Sequence, residues 1–66
     1  MKITINGQAK EFNNINSLND LVNLVCKNPQ HVITEINGAI ITTDNWKTTT
    51  LKDGDTLELV TFVGGG

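Results

Sequence analysis

Hydrophobic and polar positions alternate along the first and last stretches of this chain, and fall into a helical rhythm once between them. Met1-Lys2-Ile3-Thr4-Ile5 has the period of two that buries one face of a strand. Asn6-Gly7 follows, and both residues tolerate the positive φ of a two-residue hairpin turn. Gln8 to Phe12 then reads as the returning strand, with Phe12 turned inward. Asn13-Asn14-Ile15-Asn16 connects this hairpin to Ser17, a good helix N-cap, and Asp20 three residues on supplies the acidic half of a capping box. Leu18, Leu21, Val22 and Val25 sit at i, i+3, i+4 and i+7, one face of a helix, with Leu24 and Cys26 flanking the stripe. Pro29 disfavours helical geometry at Asn28, so the helix is expected to end near Lys27.

Strand patterning then resumes. Val32 to Ile36 is a third strand, Asn37-Gly38 a second hairpin turn, and Ala39-Ile40-Ile41 a short return. Thr42 to Thr50 is polar and irregular around the lone Trp46, expected as a lid over the core edge. Leu51-Lys52-Asp53-Gly54-Asp55 carries a strong turn signal, and Thr56 to Val63 is the longest strand. The order is ββαβββ. A helix of about ten residues is marginal alone and gains its stability by docking on one face of a mixed sheet. The first and last strands are the most apolar and should lie centrally, side by side. This is the element order of an α+β, ubiquitin-like β-grasp domain.

Alternation along the last strand places Leu57, Leu59, Thr61 and Val63 toward the helix and leaves Val60 and Phe62 on the opposite face. Exposed apolar side chains there form a candidate partner-binding surface. The alternative is that Phe62 folds over the sheet edge and contacts only its own chain. Beyond Val63 come Gly64, Gly65 and Gly66. Glycine pays the largest entropy to be ordered, so the domain is expected to span 1–63 and 64–66 to be a flexible tail, reaching about 10 Å beyond the last strand. A thread without side chains suits a narrow channel in another protein, where its carboxylate is handled as a substrate.

Composition narrows the function classes. A 66-residue domain buries about 60% of its unfolded surface, which leaves little room for a deep catalytic pocket beside a core. One cysteine excludes an internal disulfide, and one Cys with one His cannot build a structural zinc site. Five Lys, no Arg and a net charge of −2 give no basic footprint for nucleic acid. No apolar run approaches the ~18 residues of a membrane span and no signal peptide opens the chain, so a cytoplasmic location is expected. Cys26 flanks the apolar stripe and lacks a base, which favours an inert buried thiol. His31 is expected as a solvated loop residue. Asp53 and Asp55 suit a tight turn around Gly54 better than a metal site, which needs more oxygen ligands. No catalytic cluster emerges, so a non-enzyme is expected.

The run Ile36-Asn37-Gly38, Ile40-Ile41, Trp46, Leu51-Lys52-Asp53-Gly54-Asp55 and a strand entering Val63-Gly64-Gly65-Gly66 resembles the thiamine-pathway sulfur carriers, the ThiS family. The resemblance extends over essentially the whole chain. It implies that Gly66 is adenylated with ATP by a separate, ubiquitin-activating-like adenylyltransferase. A sulfur-donating enzyme then converts it to a thiocarboxylate, which supplies sulfur to thiazole synthase. ATP belongs to that partner; the chain itself is expected to bind no cofactor. Many relatives have Pro-Arg after the fourth strand where this chain has Thr42-Thr43, which removes a basic contact. Two other readings stay open: a carrier for another sulfur pathway, such as the small subunit of molybdopterin synthase, and a ubiquitin-like modifier or plain interaction module.

Overall fold

The structure is a computed structural model and describes residues 1–62. Lys2–Ile5 (β1) and Gln8–Glu11 (β2) form the opening hairpin, and Leu18–Val25 is the helix (α1). Val32–Ile36 (β3) and Ala39–Ile41 (β4) form the second hairpin, and Thr56–Thr61 (β5) is the last strand. Both hairpins turn on Asn-Gly pairs with positive φ throughout: 49° and 83° at Asn6 and Gly7, 50° and 89° at Asn37 and Gly38. That is the geometry in which backbone twist matches the flanking strands.

The sheet order is β2-β1-β5-β3-β4, with β1 and β5 parallel and the other pairs antiparallel. The first and last strands therefore do lie side by side, and β5 occupies the centre of a mixed sheet. With α1 packed on one face, this is the expected β-grasp.

The helix begins as its sequence dictates. Ser17 Oγ accepts the Asp20 N–H at 3.1 Å, and Asp20 Oδ2 accepts the N–H groups of Asn16 and Ser17, each at 3.1 Å. These backbone bonds, from Asn16 first and then Ser17, stabilise the charged carboxylate and pull the Asp20 pKa below its usual 3.8. The polar stretch after β4 completes the cap. The N–H groups of Leu18 and Asn19 donate to the carbonyls of Thr49 and Trp46, at 2.9 and 3.1 Å, so donors left over by the first turn are satisfied. What reads as an irregular loop is thus half ordered, with a 3-10 turn at Thr43–Asn45 and a bridge from Thr50 to Ser17.

The core comprises Ile3, Ile5, Ile15, Leu18, Leu21, Val22, Val32, Trp46, Leu51 and Leu57. Three expectations need correction. Trp46 is not a lid: it is 3% exposed, and its indole N–H donates to Thr34 Oγ1 and the Ile41 carbonyl, at 3.1 and 3.2 Å. Thr34 is fully buried and passes its own hydroxyl hydrogen to the Ile41 carbonyl, at 2.8 Å. Val25 leaves the buried stripe and is 43% exposed. The reason is that α1 ends at Val25, with Cys26 already extended at φ −110° and ψ 133°, two residues before the expected end. His31 is partly buried rather than solvated, because Pro29–His31 forms a 3-10 turn that leads directly into β3. Phe12 packs inward as expected; it lies just past the end of β2, and its N–H donates to the Met1 carbonyl at 2.8 Å.

Leu57 is fully buried whereas Leu59, two residues along the same face, is only partly so. Leu57→Ala is expected to cost about 2–5 kcal/mol, and Leu59→Ala clearly less, in parallel melting curves. Asp20 gives a pH signature of known sign. Its folded pKa lies below the unfolded one, so its contribution is full above pH 4 or so and fades as pH falls through the folded value. The melting-temperature advantage of the wild type over Asp20→Asn should therefore be present at neutral pH and close in acid.

Candidate functional site

β5 shows two different faces. Toward the helix it presents Leu57 and then the partly buried Leu59. Away from the helix it presents Glu58 and Val60, followed by Phe62 just past the strand. Register places Val60 opposite Ile33 and Glu58 opposite Glu35 on β3, with Ile40 of β4 opposite Glu35 in turn. The outer face thus carries Ile33, Ile40, Val60 and Phe62, which are 46%, 66%, 53% and 42% exposed.

The two residues expected from the sequence, Val60 and Phe62, are therefore brought together on the surface away from the helix. Phe62 is held there from its own backbone: its N–H donates to the His31 carbonyl at 2.8 Å, and its ring lies 5.9 Å from the His31 ring at a 46° tilt. Phe62 thus touches its own chain and remains substantially exposed. Ile33 and Ile40 were missed by the sequence reading. Ile33 was legible in principle, since alternation along β3 sets it opposite Val32 and Thr34; its pairing with Val60 depends on a register that sequence alone does not give.

The other candidates separate cleanly. Asp55 closes the turn on itself and Asp53 ties it to the start of β1. Asp53 Oδ1 accepts the Lys2 N–H at 2.6 Å, and Asp55 Oδ2 accepts the Lys52 N–H at 2.8 Å. Gly54 sits between them at φ 92°. Cys26 is partly buried against the core, and desolvation raises its pKa above the usual 9.0, the reverse of what activates a nucleophile. Among the described residues, no three His, Cys, Asp or Glu side chains gather as metal ligands, and no helix is long and apolar enough to cross a membrane. Val63, Gly64, Gly65 and Gly66, to which the sequence assigns the strand end and the tail, lie outside the described residues.

The sequence model of the ThiS family matches residues 3–66. A crystal structure of a thiamine biosynthesis protein (ThiS) from Geobacter metallireducens superposes with a TM-score of 0.85, at 30% identity and full coverage of both chains. A solution structure of a thiamine biosynthesis protein from the same organism gives 0.72 at 32% identity, covering all of this chain and 88% of that one. An uncharacterized protein, ycf40, of Trieres chinensis is 37% identical over 62 residues, 94% of this chain and 85% of its own. A thiazole synthase of Paramagnetospirillum magneticum is 32% identical across the whole of this chain, which spans only 20% of that protein's length.

A thiol with a raised pKa is a slow nucleophile at neutral pH. Cys26 is expected to react with iodoacetamide more slowly than a free thiol, with a rate that climbs through a midpoint above pH 9.0. Mass-resolved alkylation across a pH series measures this directly.

Proposed function

The chain belongs to the ThiS family, and on that footing we propose that it is a sulfur carrier of the thiamine pathway, working through the carboxylate of Gly66 and not through a catalytic group of its own. The observation that carries this reading is the family match, which runs from β1 through the terminal glycines. The segment of a thiazole synthase that resembles the entire chain supports thiazole synthase as the acceptor. The raised pKa of Cys26 and the turn role of Asp53 and Asp55 fit a protein that is acted upon.

The chemistry follows from the carboxylate. With a pKa near ~3.5 a terminal carboxylate is ionised at neutral pH and resists attack by a sulfur nucleophile. In the proposed cycle a ubiquitin-activating-like adenylyltransferase joins it to the α-phosphorus of ATP, and pyrophosphate leaves. Sulfide-level sulfur from a donor enzyme then attacks the acyl carbon, AMP departs, and a thiocarboxylate remains at Gly66. Gly64 and Gly65 let the enzyme close around the reacting bond. Thiazole synthase takes the sulfur, in the cytoplasm.

Docking is assigned to the outer face. Val60 and Phe62 stand where β5 hands over to the reactive end, and a few buried aromatic and apolar anchors dominate most interfaces. Thr42-Thr43, in place of Pro-Arg, lacks the basic contact that this pair gives many relatives.

Intact-mass measurement after incubation with the adenylating enzyme, ATP and a sulfide source tests the reading. The expected product gains the oxygen-to-sulfur mass change, and deletion of Gly66 or addition of one residue after it abolishes the gain while leaving the melting temperature nearly unchanged. Normal loading of the extended protein would sink the proposal, and isopeptide adducts would indicate a modifier instead. Phe62→Ala is expected to weaken binding to the adenylating enzyme by ~2 kcal/mol or more with little loss of fold stability.

A further inference from the structure

β5 is a central strand for most of its length and an edge strand at its end. The antiparallel ladder with β3 takes the backbone groups of every second residue, as the Phe62 N–H to His31 carbonyl bond shows. The N–H and C=O groups of Leu57, Leu59 and Thr61 therefore point the other way, toward β1. There the Asn6 N–H donates to the Leu57 carbonyl at 3.0 Å. The Asn6 side chain then serves Leu59 twice: Nδ2 donates to its carbonyl at 3.1 Å, and Oδ1 accepts its N–H at 2.9 Å. At Asn6-Gly7 the hairpin turns away. Among the described residues nothing pairs with Thr61 on that side, and Thr61 is exposed.

A groove of about 510 Å³ opens beside this free edge. Its walls include Leu59 and Thr61 of β5, Gln8 and Lys10 of β2, Val25 at the end of α1 and Lys27 just beyond it. Val25 and Leu59 give it apolar surface, which is why the early end of α1 matters. Among the described residues that line it, two are lysines and none carries a carboxylate, in a chain whose formal charge is −2.

We propose that this groove is a β-augmentation site: an extended segment of a partner protein pairs its backbone with Thr61 and sets an acidic side chain beside Lys10 and Lys27. Backbone pairing at an exposed strand edge supplies affinity, and flanking pockets supply specificity. A partner held there runs alongside the strand that leads toward Gly66, and so fixes its direction. The site lies on the helix side of the sheet and is distinct from the Val60 and Phe62 face. Naming the partner as the adenylating enzyme rests on the carrier reading.

Amide hydrogen exchange of the full chain, free and bound to that enzyme, is the test. The Thr61 N–H should exchange about tenfold more slowly, or slower still, in the complex. Thr61→Pro removes an N–H that does not face β3, so the β3–β5 ladder stays and binding should weaken on the order of tenfold. Lys10→Glu with Lys27→Glu keeps the test alive should the proline variant fail to fold. That pair should weaken binding with a reduced salt dependence, whereas Lys47→Glu, an exposed lysine outside the groove, should not. Unchanged Thr61 exchange in the complex, with wild-type binding by the double lysine variant, overturns the proposal. Sulfur loading of the wild type in the same mixture keeps the two readings apart. Loading without Thr61 protection removes the groove and leaves the carrier, while neither loading nor binding removes both.

Discussion

The structure depends on how the backbone of β5 is satisfied. A central strand must find partners for its N–H and C=O groups on both sides, because an orphaned buried group costs as much as a lost hydrogen bond. β3 provides one side along the strand's whole length, but β1 pairs only at Thr4–Thr56 and Ile5–Leu57. The two hairpin asparagines extend the pairing at its ends. Asn6 reaches Leu59, and Asn37 accepts the Thr56 N–H at 3.0 Å while donating to Asp55 at 3.1 Å. Each residue that bends a hairpin also ties that hairpin to the strand between them. Turn chemistry and sheet assembly are thereby the same event, which suits a chain too small to rely on its core alone.

Much of this was legible in the sequence because the signals are local. The Asn-Gly turns, the Ser17–Asp20 box and the Lys52–Asp55 bond around Gly54 depend on residues within four positions of one another. Alternation along β5 correctly separated Leu57 from Val60. What escaped depends on distance. Burial of Trp46 needs Thr34, twelve residues away and itself wholly buried, to accept the indole hydrogen. The second role of Asn6 needs Leu59, fifty-three residues away. The exposure of Val25 turned on two residues of helix length, and a helix boundary is the feature that periodicity locates least well. The exposure of Val60 and Phe62 was readable from pattern, and that of Ile33 from alternation along β3, while the pairing of Ile33 with Val60, the place of Ile40 and the free edge at Thr61 followed only from register.

The contrast between the two faces of β5 also explains why so few groups suffice. Leu57 serves the core and the positions next to it stay exposed, so one strand supplies both a buried and an open face without an extra element. Glu35 and Glu58 face each other on the outer side, a like-charge pair that does not favour the sheet itself. Acid on the outer face and lysines in the groove make the two sides of the same strand electrostatically unlike.

The placement of β5 has a mechanical consequence. A pull applied along this strand meets the antiparallel β3 ladder, set roughly perpendicular to the force over the strand's whole length, and on the other side β1 and the Asn6 side chain as far as Leu59. Such a load shears many bonds together; it does not peel them apart one after another. An enzyme that tugs on the end while it works would thus strain a joint whose bonds share the tension, and the domain would stay folded as its tip is drawn in.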